Sequence, residues 1–140
     1  MIVEMLLILP VFLTIIFTIM EMGNLAFQMI LLNHATWEVA RIGAMTATPR
    51  GGGSPAVNSN LLKSRLQAIL ATADIKESHK ESTVLDHQAG QMNYDLVITS
   101  AYKIPLIFPI SNILLSKPKG SGKREVYVTI RMPIEQPLAK

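Results

Sequence analysis

The chain has 140 residues, enough for about one domain, with 13 Lys and Arg against 10 Asp and Glu and a net charge of +3. Charged residues make up 16% of the chain, well below the roughly 25% of an average soluble domain, and mean hydropathy is positive. Cysteine is absent, which excludes a disulfide scaffold, a Cys-ligated zinc, an iron–sulfur cluster and a thiol nucleophile. This composition disfavours a small soluble enzyme and favours a membrane-linked or assembly-dependent protein.

The apolar excess sits at one end. Sixteen consecutive uncharged residues, MLLILPVFLTIIFTIM, separate Glu4 from Glu21. Residues 1–40 carry three acids and no Lys or Arg, a net of −3. Residues 41–140 carry 13 bases and 7 acids, a net of +6. A transmembrane helix needs about 20 predominantly apolar residues, and the stretch 5–32 meets that length if Glu21 is accommodated. A secretory signal peptide fits less well, because no basic segment precedes the apolar run and the run is too long.

Residues 1–47 read as one long helix, rich in Leu, Ile, Met and Ala and about 70 Å in length. Pro10 removes one backbone hydrogen bond, so a bend is expected near residues 6–10. Residues 5–20 are apolar all round, as in a membrane or a fully buried core. Residues 31–47 are amphipathic: Leu31, Ala35, Val39 and Ile42, with Trp37 and Met45 nearby, are expected to face a domain, and Asn33, Glu38 and Arg41 to face out. The breaker cluster at 48–55, TPRGGGSP, ends this helix. Ser54 and Pro55 suit the N-cap and first position of a second helix reaching about residue 73. That helix carries an apolar stripe of Leu62, Leu66, Ile69, Leu70 and Ala73, with Lys63, Ser64 and Gln67 off it.

The remainder alternates. Residues 91–104 hold the strand-like run YDLVITSAYKI. In residues 124–132, Val126, Val128, Ile130 and Met132 point one way and Glu125, Tyr127, Thr129 and Arg131 the other. A weaker third strand is expected around residues 82–87. The expected fold is α+β: a long hydrophobic N-terminal helix, then a small globular domain with one further helix and a short antiparallel sheet. The expected division is 1–47 for the helix (about 1–30 membrane or filament core, about 31–47 packing on the domain) and 48–140 for the globular domain.

No catalytic constellation emerges. The run Lys119-Gly120-Ser121-Gly122-Lys123 lacks the upstream Gly and the following Ser or Thr of a phosphate loop. The bases between 117 and 124 could touch phosphate or acidic lipid, but without interleaved aromatics they read first as a solvated turn, and no nucleic acid is expected. His34, His79 and His87 have no metal-ligand spacing. No enzyme activity, cofactor or metal site is expected.

Glu4 stands apart. A carboxylate near the start of an apolar helix is costly to bury, roughly 2.5–3.5 kcal/mol at the bilayer centre. Either it lies at the headgroup boundary or it meets a cation inside an apolar assembly, for which a free α-amino group is suited. Glu21, about 25 Å further along, reads most simply as the opposite membrane boundary. Residues 105–115 carry Leu106, Ile107, Phe108, Ile110, Ile113, Leu114 and Leu115, too many apolar groups for a loop in water. Part of this segment is expected to pack under the sheet against the second helix, and the rest, with Phe108 and Ile110, to form a possible subunit interface.

The motifs Val3-Glu4, Leu9-Pro10, Glu21-x-Gly23 and Ala40-Arg41-x-Gly43-Ala44 make the first 45 residues resemble TadE-type pseudopilins, the tight-adherence branch of the type IV filament superfamily. The resemblance implies a bacterial pilin-like protein made with a short basic leader ending in Gly, which a prepilin peptidase removes. The family Glu usually stands fifth after cleavage, and here it stands fourth. It implies a helix held in the inner membrane and then drawn into a helical extracellular filament, or fimbrium, used in adhesion. There copies of the chain or related pilins are the partners, and the Glu neutralises a neighbour's N-terminal amine. Glu4, Pro10 and Glu21 become assembly residues on this reading. The alternative is a single-span membrane protein whose small extracytoplasmic domain binds a partner.

Overall fold

The computed structural model describes residues 2–50, 53–81, 94–108, 115–117, 119 and 121–134. Helix α1 runs unbroken over Ile2–Thr46, including Pro10. Thr14, Thr18, Thr36 and Thr46 each return a side-chain hydroxyl to the carbonyl four residues back, at 2.7 Å. This satisfies the hydroxyls without any outside partner, which allows threonine in an apolar setting. The helix is long and apolar enough over Val3–Thr46 to cross a membrane.

The chain divides into two compact units, Met1–Leu31 with Lys103–Val126, and Leu32–Tyr102 with Tyr127–Lys140. The second unit holds the C-terminal part of α1. Its buried face is Leu32, Ala35, Thr36, Val39, Ala40, Gly43 and Ala44, and Ala47 just beyond the helix is also buried. This stripe is rotated from the expected one: Leu31 and Ile42 are half-buried, and Trp37 and Met45 are about half exposed, at 50% and 51%. Small residues win the inward face because they allow close approach. A Cβ at Gly43 would lie 2.7 Å from Leu96 Cδ2 and 3.3 Å from Leu62 Cδ1. Asn33, Glu38 and Arg41 face out as expected.

After α1 the breaker cluster forms a hairpin rather than a helix cap. Strands β1 (Thr48–Arg50) and β2 (Gly53–Ala56) pair antiparallel, with Thr48 opposite Ala56 and Arg50 opposite Gly53. Ser54 and Pro55 therefore lie in a strand. Proline is tolerated in such a two-stranded ribbon, where each strand is an edge. Helix α2 spans Ser59–Ile69, and its cap is Asn58, whose side-chain oxygen accepts from Leu61 N–H at 3.2 Å. Leu70 leaves the helix in an extended conformation, with its N–H still bonded to the Leu66 carbonyl. Leu62, Leu66, Leu70 and Ala73 are buried, whereas Ile69 is 41% exposed, so the stripe is narrower than its hydrophobicity implies.

The main sheet has order β3–β4–β5, made of Asp74–Glu81, Tyr94–Pro105 and Lys123–Pro133. Strands β3 and β4 are antiparallel in continuous register, from Asp74 opposite Ala101 to Glu81 opposite Tyr94. The expected strand at 82–87 lies outside the described residues. Strand β3 occupies a stretch to which sequence reading assigns no element, and its sequence DIKESHKE has one apolar residue. An edge strand is held by backbone pairing, which leaves no hydrophobic alternation to read.

Strand β4 is central, and Asp95, Leu96, Val97, Ile98 and Ser100 are all buried. Leu96 belongs to the face that receives α1 at Gly43. On the alternate face, Asp95 pairs with Arg131 and the Thr99 and Thr129 hydroxyls meet at 3.0 Å. In β5, Val126 is buried and Val128, Ile130 and Met132 are partly buried between exposed neighbours, as the alternation predicts. Lys63 of α2 and Asp74 of β3 form an exposed ion pair at 3.1 Å.

Candidate functional site

The first unit carries the residues singled out for assembly. Along α1, residues 3–13 are exposed on every side. Glu4 and Pro10 both lie in this stretch. Pro10 has no N–H, so the Leu6 carbonyl loses its helical donor. From residue 14 onward one stripe becomes covered: Thr14, Phe17 and Thr18, then Glu21, Asn24, Leu25 and Gln28. The three- and four-residue steps are those of one face of an α-helix.

Glu21 is the centre of that stripe and is fully buried. Its partners come from the end of β4. Pro105 closes the strand and has no N–H, and the N–H groups of Ile107 and Phe108 beyond it donate to α1. Ile107 N–H donates to Glu21 Oε1 at 3.2 Å and Oε2 at 3.3 Å, and Phe108 N–H donates to Oε2 at 3.1 Å. The Phe108 ring stacks on Phe17, one helical turn before Glu21, with centroids 4.9 Å apart and planes 15° apart. A carboxylate and a ring on one helix face thus hold the backbone and the side chain of the same turn.

The apolar segment 105–115 divides in its described part. Phe108 packs on α1 rather than under the sheet on α2, and is half-buried, whereas Ile107 is 69% exposed. Ile110 lies outside the described residues. Sequence reasoning singled out Glu21 and Phe108 separately and missed that they share a site. An acid within an apolar helix was the available signal for Glu21. Its donors are 86 and 87 residues away in the chain, beyond any local pattern.

The turn that closes β4 onto β5 belongs to the same unit. Leu106 N–H donates to the Gly122 carbonyl at 2.8 Å, and Gly122 has φ 66°, a conformation natural to glycine. Lys117 N–H donates to the Lys123 carbonyl at 3.0 Å, and the Arg124 guanidinium donates to the Leu115 carbonyl at 3.1 Å. Lys117, Lys119, Lys123 and Arg124 are exposed. In the second unit, the Arg41 guanidinium lies over Trp37 at 5.8 Å from its centroid. Among the described residues no three His, Cys, Asp or Glu gather as a metal-holding group.

An apolar helix long enough to cross a membrane, followed by an α+β body, fits a pilin-like, membrane-anchored protein. The family model described as TadE-like protein matches residues 1–41, the segment that carries Glu4, Pro10 and Glu21. No curated protein and no solved structure matches the chain.

Proposed function

We propose that this protein is a structural subunit, major or minor, of an extracellular type IV, tight-adherence filament, held in the inner membrane by α1 before assembly. The observation that carries this reading is the stretch 3–13 of α1, exposed on every side, apolar except for Glu4, and inside the TadE-like match. An apolar cylinder of this kind is satisfied equally by lipid and by copies of itself, so transfer from bilayer to filament is close to balanced. On this reading a prepilin peptidase processes the chain, and residues 1–30 become filament core. Glu4 pairs with the N-terminal amine of a neighbouring subunit, and Pro10 weakens the helix where extraction begins. Phe108 and Ile110 are contacts for a neighbouring subunit. The role is structural, in line with a family that is not one of enzymes.

The test is Glu4→Gln expressed in the native host, with sheared surface material inspected by negative-stain microscopy and membranes probed for the chain. The expected outcome is loss of filaments with membrane insertion retained, because removing a charge does not impair insertion. Filament yield equal to wild type would overturn the role given to Glu4.

A further inference from the structure

The covered stripe of α1 sets how deep the helix can sit in a bilayer. Residues 3–13 offer an apolar surface all round, but at Glu21 the helix carries the turn of Ile107 and Phe108, hydrogen-bonded to the carboxylate. Irregular backbone is not left facing hydrocarbon. The hydrocarbon boundary therefore falls near Glu21. From Val3 to Glu21 is about 27 Å of helix, close to the roughly 30 Å core of a bilayer.

The basic turn is tied to that level. Ile107 and Phe108 bind Glu21, the preceding Leu106 binds the Gly122 carbonyl, and Lys123 and Arg124 follow Gly122 directly. Lys117 is bonded to Lys123 and bridges to Arg124. Residues 103–126 hold five bases (Lys103, Lys117, Lys119, Lys123 and Arg124) against Glu125 alone, a net of +4. The two acids of residues 1–31 do not neutralise this turn: Glu4 is 17 residues from Glu21, and the Glu21 carboxylate is buried on backbone N–H groups.

We propose that Lys117, Lys119, Lys123 and Arg124 form a contact surface for phosphate-bearing headgroups of an anionic bilayer, at the membrane face where α1 emerges. The inference rests on the membrane-anchored reading above and adds a partner to it. Charge complementarity and continuity with the spanning helix commit the surface to lipid rather than to a free anion. Each base near an anionic surface contributes about fivefold to the contact, and the effect decays within a Debye length. The headgroup contact would hold the subunit at a fixed depth, and it would have to be given up when the subunit leaves the bilayer.

The test uses the full chain reconstituted in vesicles. The absence of cysteine lets Ser121→Cys carry a single environment-sensitive fluorophore at the turn. Vesicles are phosphatidylcholine alone, or phosphatidylcholine with about one third phosphatidylglycerol. Flotation with both is measured alongside emission. The expected result is equal flotation, with a blue shift only in the anionic vesicles. The shift should vanish in about 1 M salt. The triple variant Lys117→Gln, Lys119→Gln, Lys123→Gln should lower the contact about a hundredfold, and the corresponding triple Arg variant should retain it. Flotation with no lipid-dependent shift overturns this inference alone. An equal shift in neutral vesicles overturns it as well, as does a shift reproduced by inorganic phosphate added to neutral vesicles. Failure to float with either vesicle overturns the anchored reading and this inference together.

Discussion

Glu21 shows how a charged residue becomes an organising element of an apolar helix. Its two oxygens accept three hydrogen bonds from two adjacent N–H groups, and Phe108, one of the two donors, stacks on Phe17 of the same helix. Hydrogen bonds to a charged acceptor are worth about 1.5–3 kcal/mol, more than neutral ones. Glu21→Ala removes both oxygens and should lower the stability of the full chain in detergent by about 2–3 kcal/mol. Thermal unfolding by circular dichroism measures it. Glu21→Gln keeps one acceptor oxygen but turns an NH2 toward N–H donors, so about half that loss is expected. The same variants should speed protease cleavage near residues 105–108. Unchanged melting in both would remove Glu21 from its organising role.

At the scale of elements, the two glycines of α1 have different roles. A Cβ at Gly23 meets nothing within 4 Å, so Gly23→Ala should raise helix stability by about 0.5–1 kcal/mol. Gly43 is the point where α1 touches Leu62 of α2 and Leu96 of β4, both fully buried. Gly43→Val should cost about 1–3 kcal/mol through overpacking, even though a side chain is better than glycine for the isolated helix. Paired melting curves of the two variants distinguish a helix-propensity effect, common to both, from a packing effect confined to Gly43.

At the scale of the molecule, the first unit shows where the chain can be shortened. Removal of residues 3–13 takes away helix that is exposed on every side and leaves Phe17, Glu21 and Leu25 in place. Removal of residues 2–25 deletes those partners and strips the covering from Phe108. The shorter truncation is expected to keep a cooperative melting transition in mild detergent, and the longer one to lose it or to aggregate. The exposed Ile107 separates folding from assembly in the intact chain. Ile107→Lys should leave the melting curve within about 0.5 kcal/mol of wild type. If the turn is a subunit interface, filaments counted by microscopy should disappear.

The α+β class, the single long helix and the strand alternation of β5 were all legible in the sequence. Each is a local property, written in composition or periodicity. Four features depended on the tertiary structure. Strand β3 is an edge held by backbone pairing, so its polar side chains carry no alternation. Ser54 and Pro55, chemically good as a helix start, are drawn into a hairpin, and Asn58 takes the cap. The inward face of α1 turns toward Ala40, Gly43 and Ala44 because backbone approach to Leu96 outweighs the burial of Trp37 and Met45. The pairing of Glu21 with Ile107 and Phe108 has the same origin. Helix periodicity marks a face, but only the folded chain brings a donor from 86 residues away to meet it.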